Sequence, residues 1–323
     1  MKQNFDIVCT LFEGNYHHGL AALINSLIHV GFEGKVMVGY KGDLPSWCQS
    51  KETASFGELH SNFLQFEKVQ VHFVKLETSY HLTNYKPDFM KTVGQAIHDW
   101  DHIFYFDPDI VILDEWKFFR DWSEAGICLC EDINSPMHEN NPERHGWRTY
   151  FAKFDHILTF KGSAYVNGGC LGVNRTNLSF LDQWIKLQEA MAKVIGGLSV
   201  SDISMKPDDP RKSFTENTLF NKTDQDALNA TVELTDLPIS ILGKEAMGFS
   251  HGQIRMTHAL DIPKPWQKNY LKRMLKGQAP AHADKTFWEF SSKPIQTLSQ
   301  SALRYKRCSL KFGAFVGRFY RRS

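Results

Sequence analysis

Tyr105-Phe106-Asp107-Pro108-Asp109-Ile110-Val111-Ile112 places two carboxylates one residue apart, directly after the short apolar run Ile103-Phe104-Tyr105-Phe106. Aspartate is disfavoured inside strands, so an acidic pair between two apolar runs marks a strand end with a task. Two neighbouring carboxylates repel unless a cation neutralises them. A hard divalent ion suits such oxygen donors and completes its shell with phosphate oxygens and water. The plainer alternative is an acidic turn. Asp99-Trp100-Asp101 and Asp224-Gln225-Asp226 match the same Asp-x-Asp pattern. Position separates them, because ligands of α/β proteins bind beyond the C-terminal ends of strands. Asp107 and Asp109 follow a strand, whereas Asp99 and Asp101 precede one.

Outward from this segment, apolar runs alternate with helical spacing. Ile7 to Leu11, Val36 to Tyr40, Val69 to Leu76, Ile103 to Phe106, Ile127 to Cys130 and Tyr165 to Val173 read as strands. Leu20, Leu23, Ile24, Leu27 and Ile28 recur at helical spacing before Gly31; Pro87 suits the first turn of a helix running to about Trp100; Phe180 to Val194 is amphipathic. Near-continuous apolar strands alternating with helices predict an α/β fold with a mostly parallel, doubly covered sheet. Glu131 to Arg148 and Gly196 to Asn221 read as long loops that would shape a second substrate's side of the site. No glycine-rich phosphate loop of either common pattern occurs. A bound diphosphate would therefore depend on a metal and basic side chains.

The 323 residues carry a net charge of +1, which gives no reason to expect nucleic acid as a partner. The six cysteines include no Cys-x-x-Cys pair, so a zinc finger is not supported. Met1 to Asp6 has no apolar signal core and no stretch is apolar for 18 residues, so a cytoplasmic protein is expected. The balanced charge hides an asymmetry. From Lys293 onward there are eight basic residues and no acid, which leaves −7 on the rest.

Four further segments give the acidic pair a context. They are Asn15-Tyr16 after the first strand, Tyr165-Val166-Asn167-Gly168-Gly169-Cys170-Leu171, Asp224-Gln225-Asp226-Ala227-Leu228-Asn229, and His258-Ala259-Leu260-Asp261-Ile262-Pro263-Lys264-Pro265-Trp266. In this order, with Asp107-Pro108-Asp109 as the metal motif, they resemble the GT-A-fold nucleotide-sugar glycosyltransferases, most closely glycosyltransferase family 8. The matches span residues 7–266. The resemblance implies one Rossmann-like nucleotide-diphospho-sugar transferase domain over residues 1–292, followed by a helical tail over 293–323. It implies transfer of a hexosyl residue from a UDP-sugar to a glycan or glycolipid, with Mn²⁺ or Mg²⁺ and with the anomeric configuration retained.

Residue by residue, the resemblance implies that Asp107, Asp109 and His258 hold the metal and that Lys264 meets the diphosphate. It implies that Asn15 and Tyr16 lie beside the nucleotide and that Asn167, Gly168 and Gly169 line the donor sugar. Asp224 and Gln225 would stand next to the transferred group. A basic residue in the helix before the metal strand is also implied, and Lys91 is the nearest candidate. Each has a plainer reading: Gly168 and Gly169 as a bulge, Thr223 or Asp224 as a helix cap, Asn15 as a cap beside a packing Tyr16. Two departures stand out. The motif's glycine is Asp261 here, which must point away from a diphosphate or meet a cation. Phe12-Glu13-Gly14 replaces the acidic residues usual before Asn-Tyr. Retention leaves two routes open: a double displacement through Asp224 or Asp226, or attack on the face that UDP leaves. The neutral Gln225 favours the second.

Phe312, Phe315, Val316, Phe319 and Tyr320 fall at helical spacing among unopposed Lys and Arg. A basic amphipathic helix suits an anionic membrane surface, here the inner face; the alternative is packing on the acidic body. Two competing functions share the fold. A sugar nucleotidyltransferase would need a Gly- and Arg-rich first loop, and Leu11 to Tyr16 holds no Arg. A catalytically silent binding module would be expected to lack the intact Asp107, Asp109 and His258.

Overall fold

The computed structural model describes residues 4–201 and 219–320. Most of the loop expected from Gly196 to Asn221, and the last two arginines of the tail, lie outside the described residues. The spine is β1 (Phe5–Glu13), β2 (Gly34–Lys41), β5 (Val69–Lys75) and β6 (Trp100–Phe106), parallel in the order β6-β1-β2-β5. Their apolar runs are buried on both faces because helices cover both sides. α1 (His17–His29) and α3 (Trp116–Glu124) pack on one face; α2 (Lys86–Ala96), α5 (Ser179–Ile195) and α6 (Thr223–Leu234) pack on the other. Ile103, Phe104, Tyr105 and Phe106 are at most 1% exposed. Each such side chain contributes roughly 1.5–3 kcal/mol relative to exposure, so β6 is firmly held.

Beyond β6 the sheet continues through β9 (Val166–Asn174) to β8 (Ile127–Glu131) and β10 (Ile239–Leu242). β9 runs antiparallel to both of its neighbours. That reversal decides the site, because it brings the beginning of β9 to the end of β6. A separate two-stranded sheet pairs β7 (Ile110–Ile112) with β11 (Met256–His258), setting His258 opposite Ile110.

Several boundaries differ from the sequence reading. The second helix stops at Ala96, and Trp100 already belongs to β6, with its indole N–H donating to Gly94 O at 3.0 Å. An antiparallel hairpin, β3 (Thr53–Phe56) and β4 (Leu59–Phe66), extends the far edge of the sheet. Its half-exposed polar residues mask the strand period. The expected loop from Glu131 to Arg148 contains the start of α4 (Pro142–Ala152), capped by Asn141, whose side chain accepts from Glu143 and Arg144 N–H. After β11, α7 (Tyr270–Leu275), α8 (His282–Glu289) and α9 (Gln300–Val316) gather around Trp266, Tyr270 and Trp288.

Candidate active site

At the C-terminal end of β6 the chain turns through Asp107-Pro108-Asp109 into β7. Asp107 N–H donates to Gly169 O at 2.9 Å, tying the turn to β9, and Ala259 N–H donates to Asp109 O at 3.2 Å, tying it to β11. His258 Nε2 then stands 3.3 Å from Asp109 Oδ1 and 3.8 Å from Asp107 Oδ2. One donor atom from each of the three lies within 4.8 Å of the others. Two carboxylates and an imidazole form a donor set that a divalent ion can use. Space is reserved for the group: a Cβ on Gly169 would come within 2.6 Å of His258 Cε1 and 2.8 Å of Asp107 Oδ2. The residues therefore fit a divalent ion. His258 Nδ1 is buried without a hydrogen-bond partner, so this imidazole lacks the usual outer orienting bond.

Two lysines flank the trio. Lys264 Nζ lies 2.7 Å from Asp109 Oδ2 and also donates to Ala259 O. Burial pushes the Asp109 carboxyl up, but His258 and Lys264 outweigh it and hold the group well below the usual carboxylate range. Lys86 Nζ is 3.1 Å from Asp107 Oδ1, 2.9 Å from Asp224 Oδ2 and 2.8 Å from Gly168 O. Burial pulls its ammonium down, yet Asp107 and Asp224 raise it above the usual lysine range, so it stays charged. The cleft is about 430 Å³, and its lining includes Tyr16, Asn167, Gly168 and Gly169.

The far wall is the start of α6. Asp224 reaches the cleft and pairs with Lys86, while Gln225 Oε1 accepts from Gly168 N–H at 3.0 Å. Gln225 Nε2 is buried without a hydrogen-bond partner. Asn167 donates to Asp132 Oδ2 at 2.6 Å and accepts from Gly169 N–H at 2.9 Å, which fixes its amide. Neither Thr223 nor Asp224 caps α6, whose N-cap position is Lys222. Asp226, in the first turn, accepts Lys222 N–H at 2.9 Å and the Tyr165 hydroxyl at 2.6 Å.

Burial pushes the Asp226 carboxyl up to about 7, against the pull of the Tyr165 and Lys222 hydrogen bonds. The folded chain keeps this proton where an unfolded chain, with an ordinary value of 3.8, has released it. Stability from this group is thus complete below pH 4 and declines as pH rises towards 7. Asp226→Asn removes the titration. Its melting temperature relative to wild type is expected to rise between pH 4 and pH 7.5 in thermal scans; a constant offset would refute the assignment.

Two expected residues, Lys91 and Asn15, lie outside the cleft lining. Lys91 is not in the cleft; it points outward from α2 and pairs with Asp182 of α5. The basic residue of that helix that meets the acidic motif is Lys86. Asn15 sits exposed in the turn before α1, outside the cleft lining, and does not cap that helix. Tyr16 lines the cleft and packs in a T-shaped pair with Trp266, 5.5 Å between centroids. Asp261 meets a cation, as required: Lys268 Nζ lies 3.1 Å away. Asp132 and Lys222, both lining the cleft, were not anticipated. Asp132 follows β8, so the strand-end rule that singles out Asp107 applies to it equally.

No family model matches this chain, and no curated protein matches it by sequence. Solved structures do. The galactosyltransferase LgtC, crystallised with donor and acceptor sugar analogues, aligns with a TM-score of 0.53 and 14% identity over 93% of this chain and 99% of its own. An active-site mutant of LgtC gives 0.51 and 15% over the same shares. The bifunctional glycosyltransferase WbbM gives 0.53 and 12%, over 95% of this chain and 52% of its own. At such identities the likeness carries architecture rather than chemistry: the chain has the GT-A fold and resembles family 8 in its arrangement.

Proposed function

We propose that this protein is a metal-dependent glycosyltransferase that moves a hexosyl residue from a UDP-sugar to a glycan or glycolipid, with retention at the anomeric carbon. The observation that carries the reading is the convergence of Asp107, Asp109 and His258, flanked by Lys86 and Lys264, at the sheet edge where α/β proteins bind ligands. A divalent ion held there would neutralise charge growing on the departing diphosphate. Lys264, whose present partners are Asp109 and Ala259 O, would turn its ammonium to the same oxygens. Lys86 holds Asp224 and Asp107 in one geometry across the sugar side.

Same-face transfer is favoured over a covalent route by the state of the two acids. Asp226 is 3% exposed, bonded through both oxygens, and does not line the cleft. Asp224 is neutralised by Lys86. Gln225, neutral and in the cleft, is no strong nucleophile. Calorimetric titration of UDP with and without Mn²⁺ tests the function. Binding that requires Mn²⁺ is expected; binding indifferent to the metal would overturn the reading.

A membrane surface is part of the proposal. On α9, Leu303, Lys306, Arg307 and Leu310 face the body, while Tyr305, Phe312 and Phe315, with Phe319 just beyond, are more than half exposed. Of the expected stripe, Val316 and Tyr320 are half-buried, with the Tyr320 hydroxyl donating to Met274 O, while Phe312, Phe315 and Phe319 stay exposed among Arg304, Lys311 and Arg318. No helix among the described residues is long and apolar enough to cross a membrane. Anionic lipid contributes roughly 1 kcal/mol per nearby Lys or Arg, and the aromatics add apolar insertion. Sedimentation with anionic vesicles is expected to capture wild type and to lose Phe315→Glu/Phe319→Glu. Equal capture of both would remove the membrane contact.

A further inference from the structure

α9 does more than present an outward face, and its inner face reaches the donor site. Lys264, Pro265, Trp266, Gln267 and Lys268 form one tight turn. Gln267 and Lys268 N–H both donate to Lys264 O, at 2.8 and 3.0 Å, and Lys264 N–H donates to Gln267 Oε1 at 3.1 Å. The turn therefore closes upon Lys264, the residue whose ammonium lies against Asp109. Its far end leaves the Trp266 and Lys268 carbonyls pointing towards α9. Lys306 Nζ donates to both, at 3.3 and 2.7 Å.

Lys306 is half-buried over the Trp288 ring, and burial lowers its ammonium from the ordinary lysine value. Among the described residues it has no carboxylate partner. A cation placed there without a counter-ion is compensated by those two carbonyls, so the contact is specific rather than a solvated tether. The neighbouring Arg307 also holds α9 to the body, but elsewhere. Its guanidinium donates to Trp288 O at 2.9 Å, to Glu289 O at 3.3 Å and to Ser292 Oγ at 2.8 Å.

We propose that Lys306 is a positioning residue for the donor site: by binding the two end carbonyls it fixes the turn on which Lys264 stands, so that α9 is a working part of the donor pocket. The inference rests on the UDP-metal reading above and adds a residue 38 positions beyond the turn it orders.

The test compares Lys306→Met, Lys306→Arg and Arg307→Met in the full chain. Without ligand, hydrogen exchange at the Gln267 and Lys268 amides is expected to speed up about tenfold in Lys306→Met, the scale of losing one charged hydrogen bond. It should stay near wild type in Arg307→Met. UDP affinity in Mn²⁺ should fall about tenfold in Lys306→Met by the same reasoning, and return with Lys306→Arg, whose guanidinium also donates to carbonyls. Unchanged exchange in Lys306→Met, an equal effect from Arg307→Met, or no recovery with Lys306→Arg would overturn the proposal. Wild type failing to bind UDP in Mn²⁺ would instead sink the function it rests on, and the exchange comparison would still decide whether Lys306 orders the turn.

Discussion

Asp109→Asn is expected to abolish the metal dependence of UDP binding and to lower kcat/KM for UDP release from its sugar donor about 1000-fold, the scale of a lost metal contribution of several kcal/mol. The substitution is nearly isosteric, so its effect is one of charge. Asp109 lies between His258 Nε2 at 3.3 Å and Lys264 Nζ at 2.7 Å, with its side chain 5% exposed. An amide there removes one of two anionic donors and leaves Lys264 without its counter-ion. A buried ammonium so deprived seeks another anion, so a weak affinity for UDP that ignores Mn²⁺ should remain. That residual binding distinguishes loss of the metal site from general unfolding. Asp261→Asn is the matched control. Asp261 belongs to the His258–Trp266 segment that carries His258 and Lys264, and it pairs with Lys268, which keeps Asp284 at 2.8 Å. The variant should bind UDP within about twofold of wild type, because the Asp261 carboxylate is solvent-exposed and buried Lys268 retains Asp284. If Asp109→Asn retains full Mn²⁺-dependent affinity, the acidic pair is structural.

The residues that were legible in the sequence are those whose role is set by where a strand ends. Asp107 and Asp109 follow a wholly apolar run, whereas His258 and Lys264 enter only through the resemblance to family 8. The structure brings them together through strand pairing that neither segment encodes alone: β9 reverses against β6, and β11 sets His258 beside Asp109. Lys86 was missed in favour of Lys91 for a reason of helical phase. Five residues at about 100° each place the two on faces about 140° apart, and only the first turn of α2 points at the cleft. Sequence periodicity identifies the helix and not its rotation. The tail shows the same gap. Spacing gives an apolar stripe, but which stripe meets the body depends on what is already there. Trp266, Tyr270 and Trp288 receive Leu303, Leu310 and the Lys306 ammonium, leaving Phe312 and Phe315 outside. The hairpin β3–β4 and helix α4 were not read because their residues are half-exposed or interrupted by Gly146, although Asn141-Pro142 carried a cap signal.

Gly169→Ala is expected to cut kcat/KM for donor cleavage about 100-fold, the effect of an ångström-scale misplacement at a reacting centre, while leaving the melting temperature close to wild type. The argument is one of room. The φ of Gly169 is outside the left-handed region, and alanine suits a strand better than glycine. The added methyl, however, would lie 2.6 Å from His258 Cε1, 2.8 Å from Asp107 Oδ2 and 2.9 Å from Asn167 Oδ1. The backbone cannot withdraw, because Gly169 O accepts Asp107 N–H and Gly169 N–H donates to Asn167. His258 and Asp107 must then part by several tenths of an ångström, beyond the roughly 0.5 Å that a working constellation tolerates. Two other glycines of β9 separate the possible causes. A methyl on Gly168 meets Asp224 Oδ2 at 2.9 Å and Gln225 Cβ at 3.4 Å, so Gly168→Ala should slow turnover while sparing Mn²⁺ affinity. A methyl on Gly172 meets the buried Phe104 ring at 2.3 Å, so Gly172→Ala should lower the melting temperature first. Along one strand, three identical substitutions thus report on the core, the metal trio and the sugar side in turn. A Gly169→Ala protein with undiminished Mn²⁺ affinity would mean that Asp107 and His258 do not share an ion.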